Sequence, residues 1–303
     1  MSEHYPRIRL YSTVGGERRS LYIRESMSIT FYMRHSHQEV VHEVMRSLDA
    51  YRRAIEPQVL GWYADPYSGD WEELDDKGWA YLQGEMLELP ATQLWLRESS
   101  GETTGYDVLY RGRLLDARDE GETSVLSFIL PTEYLEAHGP GHVRELALKL
   151  AAELPFTSGH GGLCFNFPES VLGTTEAIRD FSFRYPGLDI PGVHFDSLSI
   201  GTRVKGVHWL NFLGQPVLGE LGGAEGLRAR LHSPGTTVQE LDGERAVVTL
   251  GQWPEAGDTE QGHTLPEYRE LAHVLEPWLY LDRGGWSGFS DEDVRRWERR
   301  FLD

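Results

Sequence analysis

Between Ser28 and Pro57 the chain changes its periodicity, and that change restricts what it can fold into. Ser28-Ile29-Thr30-Phe31-Tyr32-Met33 is dense in β-branched and aromatic residues, which favour a pleated, half-buried surface. Three residues later Ser36 and Glu39 stand at the spacing of a capping box, the signature of a helix N-terminus. From there Val40, Val41, Val44, Leu48 and Tyr51 recur at helical spacing to about Ile55, and Pro57 ends the run because it cannot continue a helix. Upstream, Arg7-Ile8-Arg9-Leu10-Tyr11 alternates polar and apolar residues, and a Gly15-Gly16 turn separates it from the next extended run. The opening is thus strand, strand, helix.

The same order returns twice. Gln93–Arg97, Tyr106–Tyr110 and Thr123–Leu130 read as three strands, with the acidic loop Asp116 to Glu122 joining the last two and Pro131 closing the meander. A short helical piece over 132–138 and a longer helix over 140–154 follow, with Val143, Leu146, Ala147 and Leu150 inward. Gly161 to Phe167 reads as a buried strand and Thr174 to Phe183 as a helix. Tyr185 to Asp189 reads as a turn, while Val207 to Leu213 is apolar and ambiguous between helix and strand. Residues 218–231 suggest two short helices. Strands near 236–241 and 246–250 precede a helix over about 266–275, and a final Arg-rich helix over 291–302 is capped by Ser290. Runs of strands alternating with helices predict an α+β fold, with a mostly antiparallel sheet and packed helices. The recurrence of strand-strand-helix near 20–55, 105–154 and 236–275 hints at two related halves, about 1–155 and 156–303. With no clear linker, residues 1–303 are expected to form a single domain.

Composition bounds the partners. Lys plus Arg total 29 against 48 for Asp plus Glu, a formal net charge of −19. Such a surface is a poor ligand for nucleic acid, whose binding gains free energy from cations that displace counterions. A basic protein would instead be steered toward it. No stretch of about 18 apolar residues occurs, Met1 to Leu10 develops no apolar signal-like core, and the single cysteine, Cys164, has no partner for a disulfide. These features point to the cytoplasm, with no membrane and no direct nucleic-acid partner.

The common catalytic motifs are missing. There is no Gly-rich phosphate loop with a following Lys-Ser or Lys-Thr, and no strand followed by G-x-G-x-x-G. Gly285-Trp286-Ser287-Gly288 falls short of a nucleophile elbow because Phe289 follows. His35, His37 and His42 surround the capping Ser36 without a Cys or close acid at ligand spacing. His138 and His142 are separated by Gly139-Pro140-Gly141, which removes the meaning of their i,i+4 spacing. Ser158-Gly159-His160-Gly161-Gly162 is the most site-like piece, with glycines that permit close approach and a histidine able to act as a base. Cys164 four residues on invites a Cys-His reading, although a free cysteine in an apolar run usually packs in a core.

One segment stands out for recognition. From Gly61 to Trp79 the chain interleaves Trp62, Tyr63, Tyr67 and Trp71 with Asp65, Asp70, Glu72, Glu73, Asp75 and Asp76. The acids could form a solvated face, or hold a hard cation, although the regular D-x-D-x-D-G loop is missing. As a partner surface, they supply electrostatics and the aromatics supply anchors, which dominate interface energetics. These ten residues are the expected partner contacts.

Several stretches resemble a bacterial family once catalogued as a domain of unknown function and now described as type VI immunity proteins, partners of VRR-NUC effector nucleases. They are Gly61-Trp62-Tyr63, Leu130-Pro131-Thr132-Glu133-Tyr134-Leu135, Gly139-Pro140-Gly141 with Val143-Arg144-Glu145-Leu146-Ala147, and Leu154-Pro155 with Ser158 to Leu163. Further on come Arg184-Tyr185-Pro186-Gly187-Leu188-Asp189, Trp209 to Gly214, Leu221-Gly222-Gly223, Pro254 to Asp258, and Trp297-Glu298-Arg299-Arg300-Phe301. Their succession spans most of the chain. The resemblance implies an immunity protein that is not an enzyme, needs no cofactor or metal, and binds a cognate toxin, a nuclease by the family's pattern, so as to occlude its cleft. Two other readings stay open: a hydrolase-like enzyme using the Gly159-His160-Gly161 loop, and a non-catalytic oligomeric scaffold. The oligomeric state, a homo-oligomer included, is not fixed by the sequence.

Overall fold

A computed structural model describes residues 3–14, 18–56, 59–116, 118, 120–168, 173–281 and 286–303. Gly15, Gly16, Pro57 and Gly285, and the loop positions Ala117 and Asp119, lie outside the described residues. The fold is α+β around one antiparallel sheet. Strand β1 (Arg9–Val14) pairs with β2 (Arg18–Met33), a 16-residue strand that leads into helix α1 (His37–Ala54). Then come β3 (Trp62–Ala64), β4 (Trp71–Glu73), helix α2 (Asp76–Glu88), β5 (Thr92–Arg97), β6 (Asp107–Gly112) and β7 (Ser124–Pro131). Helix α3 (Thr132–Ala152) leads to β8 (Ser158–Asn166), then helices α4 (Thr174–Arg184) and α5 (Val193–Asp196) and strand β9 (Leu210–Leu213). Short helices α6 (Val217–Glu220) and α7 (Gly223–Arg228), strands β10 (Thr236–Asp242) and β11 (Arg245–Leu250), and helices α8 (Pro266–Leu275) and α9 (Asp291–Glu298) complete the chain.

The expected strand-strand-helix order is present as β1-β2-α1, β6-β7-α3 and β10-β11-α8. Across the sheet the strands run β10-β11-β9-β8-β2-β7-β6-β5-β3-β4, with β1 beside the first part of β2. β2 is central: Thr30 stands between Ser127 of β7 and His160 of β8. The ambiguous stretch 207–213 resolves as β9, because it lies between β8 and β11 and gives its backbone groups to both.

The two faces of the sheet differ in chemistry. Met27, Ile29, Phe31 and Met33 alternate along β2 toward the helices, with Phe128 and Leu126 beside them from β7. Against this face α1 places the inward residues its periodicity predicted, and the Tyr51 ring lies 4.7 Å from Phe128. The capping box forms as read, with Ser36 N donating to Glu39 Oε2 at 2.7 Å. Truncating a side chain such as Leu48, fully buried here, costs about 2–5 kcal/mol in cores of this kind. α3 is kinked where Gly139 takes φ +81°, a left-handed value that suits a residue without Cβ, so two helical pieces meet as the sequence suggested. Among the described residues no helix is long and apolar enough to cross a membrane.

Ser26, Ser28, Thr30 and Tyr32 alternate toward the other face, joined in register by Ser127, His160, Gly162, Cys164 and Asn211. This second face carries the buried polar layer and, at its outer end, the Trp62–Trp71 corner.

Candidate functional site

The Trp- and acid-rich segment, for which no secondary structure was assigned from sequence, forms the outer corner of the sheet. β3 and β4 make a hairpin in which Trp62 pairs with Glu73, Tyr63 with Glu72 and Ala64 with Trp71, and β3 pairs with β5 through Trp62–Arg97 and Tyr63–Leu96. Residues directly opposite share a face, so Trp62, Trp71, Glu73 and Arg97 stand on the second face. Tyr63 turns to the helix side and is only 8% exposed. Two of the acids serve local turns. Asp65 Oδ1 accepts from Tyr67 N and Ser68 N at 3.0 and 2.7 Å, and Asp75 caps α2 by accepting from Lys77 N and Gly78 N. Tyr67, 72% exposed, crowns the hairpin and donates from its hydroxyl to Glu85. Asp70, Glu72 and Asp76 are exposed. Of the ten residues only Tyr63 is buried; Trp62, Asp65 and Trp71 are half-exposed and the other six exposed, with Asp65 and Asp75 engaged in local turns.

The second face adds residues that the sequence reading did not single out. Trp95 of β5 meets Trp71 edge-on at 5.2 Å, and the Arg97 guanidinium lies over both rings at 4.2 and 5.0 Å. Arg97 Nε and Trp95 Nε1 both donate to Asp107, at 2.7 and 2.9 Å. Burial raises the Asp107 carboxyl, and Arg97 opposes that rise. Beyond them a cleft opens between Trp95, Leu109 and Ile129 of the sheet and Phe167 and Val193 opposite, and Arg111 and His194 line its far end. No short motif announces this surface; Trp95 and Arg97 join Trp62 and Trp71 only through strand pairing.

Past that cleft the same face is closed over by the segment 187–209 and the C-terminal part of the chain, above a buried polar layer. Asp189 is fixed by backbone hydrogen bonds to Leu163 and Phe165 of β8. His160 and His208 stack with ring centroids 4.1 Å apart, and His208 Nε2 lies 3.3 Å from Asp189 Oδ2. Arg300 approaches the other Asp189 oxygen at 3.6 Å. Lys205 Nζ reaches Asp196 at 2.9 Å, and the Tyr32 hydroxyl donates to Asp196 at 3.4 Å. Burial, His208 and Lys205 push His160 well below its ordinary range, with Asp189 opposing. Asp189 resists burial and stays below the ordinary carboxylate range because His208, Arg300 and His160 face it.

His160, Asp189 and His208 offer ligand atoms within 4.8 Å of one another, the arrangement here best able to hold a metal. Their rings are nearly parallel, 17° apart, so the nitrogen lone pairs run side by side and do not converge on one ion. Positive charge from Arg300 also reaches Asp189. The geometry fits an internal charge layer better than a coordination sphere. Nor is Gly159-His160-Gly161 a loop: it lies inside β8, with His160 only 5% exposed. The glycines serve packing. A Cβ on Gly159 would come within 2.7 Å of the Phe31 ring, and one on Gly162 within 3.3 Å of His208. Cys164 is fully buried and its thiol is pushed up by burial, which leaves it protonated and a poor nucleophile.

His37, His138 and His142 pack within the fold. His37 is buried, with its ring nitrogens 2.8 Å from the Tyr110 hydroxyl and 2.7 Å from the Met86 carbonyl. The kink at Gly139 does not separate His138 from His142, as the sequence reading held: their rings stack at 4.8 Å beside Tyr134, whose hydroxyl is 3.0 Å from His142 Nε2.

Three comparisons bear on these surfaces. None of the curated proteins matches the chain. Among solved structures, Pseudomonas aeruginosa T6SS protein PA0821 is similar at a TM-score of 0.80 and 21% identity, over 97% of this chain and 87% of that one, a likeness of fold. The family model described as TsiV, type VI immunity for VRR-NUC, matches residues 43–301, from α1 to the end of the C-terminal cover. A match of that extent settles membership: the chain belongs to the TsiV family of type VI immunity proteins.

Proposed function

We propose that this protein neutralises a cognate effector, a nuclease, by binding it and occluding its substrate cleft, without catalysis of its own. The observation that carries this reading is the family match over residues 43–301. The contact is assigned to the corner of the sheet: Trp62, Trp71 and Tyr67 as anchors, with Asp70, Glu72, Glu73 and Asp76 as the electrostatic part and Tyr63, Asp65 and Asp75 as its supports. A cleft built to attract phosphate is positive, and a chain of net charge −19 is drawn to it and can fill it. We read the chain as one immunity-type domain, since the sheet passes between its halves through β2 and β8, and place it in the cytoplasm, beside the nucleic acid that such an effector attacks.

The test is co-expression with the product of the immediately adjacent reading frame in a naive bacterial host. Rescue from killing, with a stable stoichiometric complex on gel filtration, is the expected result. A neighbour that kills regardless, or protection without complex formation, would overturn the reading.

A further inference from the structure

On a chain with so large an excess of acid, one recess collects positive charge. It lies where the end of β6 meets α5, next to the hairpin tip. Arg111, Arg113 and His194 line it, and among the described lining residues Glu122 is the single acid, 3.8 Å from Arg113. Arg111 is positioned by Gln93 and Arg113 by the Ser197 hydroxyl. Arg113 Nε and His194 Nδ1 are enclosed yet make no hydrogen bond within the protein. The mouth is apolar: Tyr67 and Leu114 line it and are 72% and 63% exposed, and Phe195, 62% exposed, lies edge-on to the His194 ring. Burial, then Arg111 and Arg113, lowers His194, as expected where guanidinium charge is concentrated.

We propose that this recess receives a carboxylate side chain from a loop of the bound effector, an Asp or Glu flanked by apolar residues. The inference rests on the binding reading above and adds the opposite half of the charge pattern. Guanidinium forks match carboxylates in geometry as well as charge. The exposed Tyr67, Leu114 and Phe195 would cover the apolar flanks of such a loop, a role that a free inorganic anion leaves unused. A nucleic acid is disfavoured because a polyanion extending past the recess meets a chain of net charge −19, whereas a single carboxylate meets only the recess. The effector surface would then be bipolar, with basic groups meeting Asp70, Glu72 and Glu73 and one acid entering between the arginines.

The experiment uses the full chain and two blocked tetrapeptides, acetyl-Gly-Asp-Leu-Gly-amide and its Asn counterpart, titrated while the arginine side-chain N–H resonances are followed by NMR. The Asp peptide should shift Arg111 and Arg113 saturably, and the Asn peptide should bind at least about tenfold more weakly, the scale of one charge-assisted hydrogen bond. Arg113→Gln should abolish the difference. Should that variant fold poorly, Leu114→Asp at the exposed mouth should weaken the Asp peptide while leaving the spectrum otherwise intact. Equal binding of the two peptides, or none, overturns the proposal. In a second arm, the adjacent frame's product is bound to wild type and to both variants. A complex indifferent to both variants also overturns it. A product that does not bind wild type defeats the effector reading alone, and the peptide arm then decides the recess.

Discussion

One face of one sheet is treated in two opposite ways along its width. Under the segment 187–209, Tyr32, His160 and Asn211 lie in a sealed layer together with Asp196, Lys205, Asp189 and His208. Toward β4, Trp62, Trp71 and Trp95 remain half-exposed, with Arg97 stacked over two of them. An antiparallel sheet can leave one face to water, but a sheet that wants water there normally shows small polar residues. Here the bare end carries large aromatics around the Arg97–Asp107 pair, and the sealed end buries Asp189, Asp196, Lys205 and the stacked histidines. The contrast teaches that burial by the chain's own cover locks its charges in place, while the aromatic end keeps its rings half-exposed, which is what the proposed contact uses.

The contrast can be broken or sharpened by measurement, and the largest effect is expected at the sealed end. Lys205→Ala leaves Asp196 buried without its cation, and should cost about 3–5 kcal/mol in urea unfolding. A loss below about 1 kcal/mol would mean that this pair does not lock the cover. At the bare end Trp71→Ala should do the reverse. Effector affinity should fall about 30-fold, near 2 kcal/mol, while the melting temperature moves by less than about 4 °C. If stability and affinity fell together, the corner would be part of the core and not an interface.

A smaller effect follows from His160. Its folded-state affinity for protons is depressed, so below the ordinary histidine value of about 6.5 the unfolded chain binds a proton that the folded chain refuses. Stability is then full above that pH and is lost as pH falls, by about 1 kcal/mol over the first unit. His37 and His194, also lowered by burial, add in the same sense. His160→Gln should flatten the profile and leave protection against the effector intact; loss of protection in a folded variant would revive the hydrolase reading. The smallest effect concerns charge alone. Glu72→Gln with Glu73→Gln should slow association about two- to threefold at low salt and leave it unchanged at high salt.

How much of this was legible in the sequence depended on the range of the signal. α1 declared itself through Ser36, Glu39 and a regular apolar stripe, all local. α9 did likewise through Ser290, and the structure adds Asp293 as the second half of a capping box. The corner did not. β3 and β4 are three residues each, too short for alternation to register, and α2 contains Gly78 and Gly84 and buries only Gly78, Leu82 and Met86. The acids and aromatics of the segment were visible as a cluster. Which of them would be displayed was decided by strand register, which puts Trp62 and Tyr63 on opposite faces. The polar layer was half legible. His160 stood out among its glycines, but Asp189 and His208 arrive from distant turns, and no spacing rule connects them to β8. The open strip of Trp95, Arg97 and Arg111 was beyond reach for the same reason.

The position of β2 carries a cost in time. Its neighbour Ser127 lies 97 residues after Thr30, and β8 lies further still. At about 5–20 residues per second, the ribosome leaves Ser26–Met33 of this strand, beyond the reach of β1, unpaired on both edges for roughly 5–20 s. On the proposed role, chains begun after an effector enters are unfinished over that interval and give no shelter during it. Protection must come from a standing stock, and slowing translation between β2 and β7 should lower soluble yield by lengthening the interval in which nascent chains can pair with one another.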